Sequence, residues 1–171
     1  MKGYIQVYTG NGKGKTTAAL GLTLRACGAG KKVLFTQFIK GDDYSEIKAI
    51  EKYLPSVTVK QYGLGRFISG APLPDDIEVA RQGVHELSEI ISSGQYDIIV
   101  MDEANVALHH GLIDLDEFLG MLRTKADGTE IVITGRYAKP GILEIADLVT
   151  EMREIKHYYQ QGVLAREGIE Y

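Results

Sequence analysis

Thr9-Gly10-Asn11-Gly12-Lys13-Gly14-Lys15-Thr16-Thr17 follows the apolar run Tyr4-Ile5-Gln6-Val7-Tyr8 and opens a helical pattern. Strand, glycine loop, Gly-Lys-Thr-Thr and helix, in that order, read as a phosphate-binding loop. Its glycines permit a tight turn that aims backbone N–H groups inward, and the following helix adds the positive end of its dipole. Lys15 can reach a phosphate oxygen, and Thr16 offers a hydroxyl to a magnesium ion. The usual pattern begins with glycine five residues before Gly14, where Thr9 stands here. Read from Gly10, the loop is one residue short and is expected to wrap its anion in its own way. A merely flexible glycine-lysine turn is the alternative, but it leaves the order of the flanking elements unexplained.

Outward from the loop, residues 4–8 read as a strand and 15–29 as a helix with Ala19, Leu20, Leu24 and Cys27 at apolar positions. Lys32 to Ile39 is a mostly apolar run of strand length, as expected for a parallel strand covered on both faces. A helix over 44–53 stops before Pro55, and Val57 to Tyr62 alternates like a third strand. The glycine-rich stretch Gly63 to Pro72 is too long and too aromatic to be only a connector. Asp75 and Glu78 have capping-box spacing for a helix whose apolar face is Ile77, Ala80, Val84, Leu87 and Ile91. Tyr96 to Glu103 is an apolar strand ending in two carboxylates, expected to lie beside the first strand. A helix over 115–123 follows Asp114, Glu130 to Thr134 is a fifth strand, Pro140 to Ala146 a short helix, and Asp147 to Met152 a last strand. The tail from His157 is expected to form a hairpin or an ordered extension. This is an α/β pattern, a phosphate-loop three-layer sandwich with a mostly parallel central sheet, and 171 residues suit one domain.

A formal net charge of −4 with 25% charged residues and no basic patch argues against a nucleic-acid partner. The lone Cys27 cannot form an internal disulfide and reads as a buried small hydrophobe beside Leu20 and Leu24. Strand pattern begins within the first few residues, leaving no room for a signal peptide, and no apolar segment approaches the ~18 residues of a membrane span. A cytoplasmic location is expected.

The strand carboxyl ends carry the phosphate loop, Gln37 to Asp42, Gly63 to Phe67, Asp102-Glu103 and Thr134-Gly135-Arg136, which should converge on one crevice. Asp102 and Glu103 are candidate metal ligands, directly or through water, with solvated strand-end acids as the alternative. Arg136 is placed to meet phosphate, whereas Arg25 can equally be an exposed surface arginine. His85, His109, His110 and His157 have no metal-ligand spacing. No serine–histidine–acid nucleophile is evident.

Thr9 to Gly21, Arg25, Gln37-Phe38-Ile39-Lys40-Gly41, Asp102-Glu103, Thr134-Gly135-Arg136, Ala146 to Met152, Lys156-His157 and Gly168-Ile169-Glu170 together resemble the corrinoid adenosyltransferases, phosphate-loop enzymes that make adenosylcobalamin. The resemblance covers nearly the whole chain and includes the unusual loop. It implies transfer of a 5′-deoxyadenosyl group from ATP to the Co(I) of a reduced cobalamin or corrinoid precursor, with release of triphosphate. By position, Gly10, Asn11, Gly12, Lys13, Gly14, Lys15, Thr16 and Thr17 would hold the polyphosphate, and Arg25 and Arg136 would lie near the nucleotide. Lys15, Thr16 and Glu103 would carry catalysis. Thr16, Glu103 and Asp102 would hold magnesium, with manganese as a substitute. Phe67 would approach the corrin ring, although members that read Gly-Glu-Gly-Phe-Thr-Trp carry a tryptophan and this sequence has none. Longer members carry an amino-terminal segment before the first strand, so a more open pocket is the expectation. The resemblance further implies a homodimer and a reductant, for which a flavoprotein is a candidate. A kinase or nucleotide hydrolase on the same fold is the rival reading, with Glu103 as base, and a non-catalytic nucleotide-binding regulator is a third.

Overall fold

Strands and helices alternate from the start: β1 (Ile5–Thr9), α1 (Lys15–Gly28), β2 (Val33–Phe38), α2 (Ser45–Tyr53), β3 (Val57–Tyr62), α3 (Pro74–Ser93) and β4 (Ile98–Asp102). After them come α4 (Ala104–His109), α5 (Leu115–Arg123), β5 (Glu130–Thr134), α6 (Pro140–Ile145) and β6 (Leu148–Glu151). The computed structural model describes residues 2–41, 44–66 and 70–171.

The six strands form one sheet in the order β3-β2-β4-β5-β1-β6, and every pairing is parallel. Parallel strands need crossovers, and the helices supply them on both faces. Because side chains alternate across the sheet, Val33 and Phe35 of β2 point to one layer, with Ala19 and Ala26 of α1 and Ile50 of α2. Leu34 and Phe38 point to the other, with α3, α4, α5 and α6. Phe35 and Phe118 are fully buried, and each such side chain contributes about 1.5–3 kcal/mol. The continuous apolar runs of β2 and β4 are thus explained by burial on both faces.

Several local expectations are corrected. β4 does not lie beside β1; β5 runs between them, paired to both. Leu24 is 61% exposed, and Cys27 is half-buried at the margin of the core, because α1 buries Ala19, Thr23 and Ala26 instead. The long helix α3 begins at Pro74, one residue before Asp75, since proline needs no N–H partner in a first turn. Asp76 therefore becomes the capping acid and accepts from the Leu73 N–H at 3.1 Å. The helix α5 follows Asp114 as expected, and Asp114 caps it, its Oδ1 accepting from the Glu117 N–H at 3.0 Å. The tail is an ordered extension with one 3-10 turn at Tyr158–Gln161, not a hairpin. Among the described residues no helix is long and apolar enough to cross a membrane.

Candidate active site

The loop between β1 and α1 is shaped by the chain leaving β6. The Gly12 N–H donates to the Met152 carbonyl at 2.7 Å, and the Met152 N–H donates to the Thr9 carbonyl at 2.8 Å. A Cβ on Gly10 would stand 2.4 Å from the Met152 oxygen, and one on Gly12 would stand 2.8 Å from it. Glycine is thus required at both positions by the close approach of another backbone, and Gly10 also has φ 95°. Thr9 fits where other loops have glycine because it is still the last residue of β1, opposite Glu151 of β6.

Lys15 is buried, and its ammonium donates to the carbonyls of Gly10 and Gly12, both at 2.8 Å. Burial, reinforced by Arg136, lowers its pKa. The ammonium is held at the centre of the loop, where a polyphosphate can exchange for the two carbonyls.

Asp102 ends β4 with no exposed surface. Its Oδ1 accepts from Thr16 Oγ1 at 2.8 Å and Thr134 Oγ1 at 2.6 Å, while Oδ2 accepts from Lys40 Nζ at 3.1 Å and Gln37 Nε2 at 3.2 Å. The hydroxyl that links the loop to β4 thus comes from α1, which packs across β5 onto β4. Glu103 follows in the left-handed region, φ 61°, its N–H donating to Thr134 Oγ1 at 3.1 Å. Burial and the neighbouring Asp102 push its carboxyl up to about 7, against the opposing pull of Lys40, Lys15 and Arg136. Two adjacent carboxylates and a hydroxyl are hard oxygen donors suited to magnesium. Among the described residues no group of three or more His, Cys, Asp or Glu could form a full protein cage.

Lys15, Thr16, Lys40 and Glu103 line a cavity of about 640 Å³, within the range of small-molecule sites, with Asp102 buried behind them. The loop and Thr17 form its floor, Lys40 and Glu46 one wall, and Arg136 another. Arg136 Nη2 donates to the Asn11 carbonyl at 3.2 Å. The tail closes the remaining side, where Lys13 Nζ donates to the Ile169 carbonyl at 2.5 Å and meets Glu170 at 3.2 Å. Arg25 is not brought to the cavity. It is exposed in the last turn of α1, ten residues and roughly 15 Å of helix beyond Lys15, with Tyr8 in its field. Phe67 lies outside the described residues.

A family model described as ATP:corrinoid adenosyltransferase BtuR/CobO/CobP matches residues 1–171, the whole chain. The chain belongs to this family. A corrinoid adenosyltransferase of Pseudomonas aeruginosa is 35% identical over 171 residues, covering 99% of this chain and 84% of the relative. One from a Sinorhizobium species is 37% identical, with 99% and 81% covered. Corrinoid adenosyltransferase CobA of Salmonella typhimurium is 35% identical, with 99% and 86% covered. The expected family, transferase class and use of ATP and a corrinoid are thereby borne out.

For this adenosyltransferase, the stretch holding Gln37 and Lys40 was expected at the crevice and the tail stretches matched the family, but Lys40 carried no individual role and Glu46 and Tyr171, which line the cavity, were not singled out. The signal for Lys40 was its place at the carboxyl end of a strand. What the sequence did not carry was its partners, Asp102 and Glu46, which only the sheet order brings together.

Proposed function

We propose that residues 1–171 act as one domain that transfers the 5′-deoxyadenosyl group of ATP to the Co(I) of a reduced corrinoid, giving adenosylcobalamin or adenosylcobinamide. The cobalt electron pair forms the bond to ribose C5′, the C5′–O5′ bond breaks, and the O5′ electron pair leaves with triphosphate. No proton is removed, so the enzyme's work is alignment, exclusion of water and stabilisation of the leaving group. The full-length family match carries this reading.

In this reading the loop N–H groups from Gly10 to Thr17 bind the polyphosphate, and Lys15 turns from its two carbonyls onto it. Arg136, anchored on Asn11, adds a second cation, and Lys13 a third. Thr16, Asp102 and Glu103 would hold magnesium, which supplies further neutralisation of the leaving charge. Phe67 is proposed as a corrinoid contact on the family likeness alone, and Arg25 is assigned no contact. A homodimer, a flavoprotein reductant and a cytoplasmic setting complete the proposal on the strength of the family likeness.

Phosphoryl transfer on the same site would use Glu103 to orient water, and isotope placement separates the two. With ATP carrying ¹⁸O at the ribose 5′-oxygen, carbon attack sends the label out in triphosphate. ADP retaining the label at that oxygen, formed without corrinoid, would overturn the proposal.

A further inference from the structure

The turn that ends β2 is strained. Ile39, a β-branched residue, sits at φ 67°, a conformation that persists only where its surroundings enforce it. Those surroundings are two glycines from neighbouring strand ends. A Cβ on Gly63 would lie 2.1 Å from the Ile39 carbonyl carbon, and one on Gly41 would lie 2.4 Å from the Gly63 oxygen. The Gly65 N–H donates to the Ile39 carbonyl at 3.3 Å.

The strain turns Lys40 inward along the strand edge. Its ammonium lies 3.1 Å from Asp102 Oδ2 and 3.4 Å from Glu46 Oε1, on the wall of the same cavity as Lys15 and Arg136. Gln37 duplicates this bridge: its Nε2 donates to Asp102 Oδ2 at 3.2 Å and to Glu46 Oε1 at 3.3 Å. Both carboxylates therefore keep a donor when the lysine moves, so satisfying them does not account for a strained turn that aims a cation into the cavity.

We propose that Lys40 is a further catalytic residue, a cation that leaves the Asp102–Glu46 pair to contact the triphosphate as the C5′–O5′ bond breaks. A contact that strengthens as negative charge builds on the leaving oxygen acts on kcat. This inference rests on the proposed adenosyl transfer.

The test pairs Lys40→Gln, which removes the charge but keeps an amide donor for Asp102, with Lys40→Arg, which keeps the charge. Inorganic triphosphate with magnesium is the calorimetric probe, and turnover gives kcat and KM. Lys40→Gln is expected to lose on the order of tenfold or more in both triphosphate affinity and kcat. KM for the corrinoid should stay unchanged, and Lys40→Arg should recover most of the loss. Triphosphate affinity and kcat within about twofold of the parent in Lys40→Gln, a difference well under 1 kcal/mol, would reduce Lys40 to a structural neutraliser. Should Lys40→Gln not fold, crystals of the parent with magnesium triphosphate decide: Lys40 Nζ within hydrogen-bond distance of a phosphate oxygen supports the role, and Lys40 still on Asp102 overturns it. Triphosphate binding needs no turnover, so its outcome is separate from the identity of the parent's products, which tests the adenosyl transfer itself.

Discussion

Thr16 Oγ1 donates to Asp102 Oδ1 at 2.8 Å, a bond that spans 86 residues of sequence and ties the first turn of α1 to the end of β4. β5 lies between β1 and β4, so this contact, with the Thr134 hydroxyl on the same oxygen at 2.6 Å, joins the phosphate loop to the carboxylates. Thr16→Ala should lower magnesium-dependent ATP affinity about tenfold and stability by about 0.5–1.5 kcal/mol. Thr16→Ser should restore both. Calorimetry with and without magnesium checks this, and an unchanged affinity in the alanine variant would remove Thr16 from the metal site.

The loop glycines and the helix glycines should respond oppositely to alanine. Gly10→Ala meets the Met152 carbonyl and a left-handed backbone, and should cost about 2 kcal/mol or more in urea unfolding. Gly21, exposed within α1, has nothing within 4 Å of an added Cβ, and Gly21→Ala should stabilise by about 0.5–1 kcal/mol. Equal effects at the two positions would contradict the close approach of β6.

Glu103 gives the metal-free protein a pH signature. Its carboxyl is raised from the ordinary 4.5 to about 7 in the folded chain, so the native state holds a proton that the unfolded state has released. Its contribution to stability is full below about 4.5 and is lost as pH rises through about 7. Thermal melts of the parent should show this decline and those of Glu103→Gln a flatter profile over the same window. Identical profiles would place the titration elsewhere.

Glu170 should behave in the reverse sense. Arg166, Tyr158 and Lys13 bond its carboxylate and hold it down to about 2. Its hold on the tail is therefore present above about 4.5 and lost as pH falls toward 2. At neutral pH, Glu170→Ala should release the tail from Lys13 and speed tryptic cleavage at Arg166. Unchanged cleavage would mean that other contacts, such as Ser45 Oγ on the Tyr171 carbonyl at 3.0 Å, suffice.

How far the sequence reached follows from the range of each interaction. Near-neighbour signals were legible: the apolar runs of β2 and β4, the start of α5 after Asp114, and the loop itself. The helix α4 was missed because its six residues are too short for a periodic face and it opens from a left-handed Glu103 rather than a polar cap. The insertion of β5 between β1 and β4 was missed because chain order does not fix sheet order. The same gap hid the partners of Lys40.

The central claim, carbon attack by Co(I) on ATP held in the Gly10–Thr17 loop, is tested most directly by an anaerobic assay with magnesium-ATP and chemically reduced cobalamin. The visible spectrum and the released phosphates are followed together. A light-sensitive alkyl-cobalt product with one triphosphate per corrinoid, abolished in Lys15→Ala, is the predicted result. ADP and phosphate released at the same rate with or without corrinoid would contradict it.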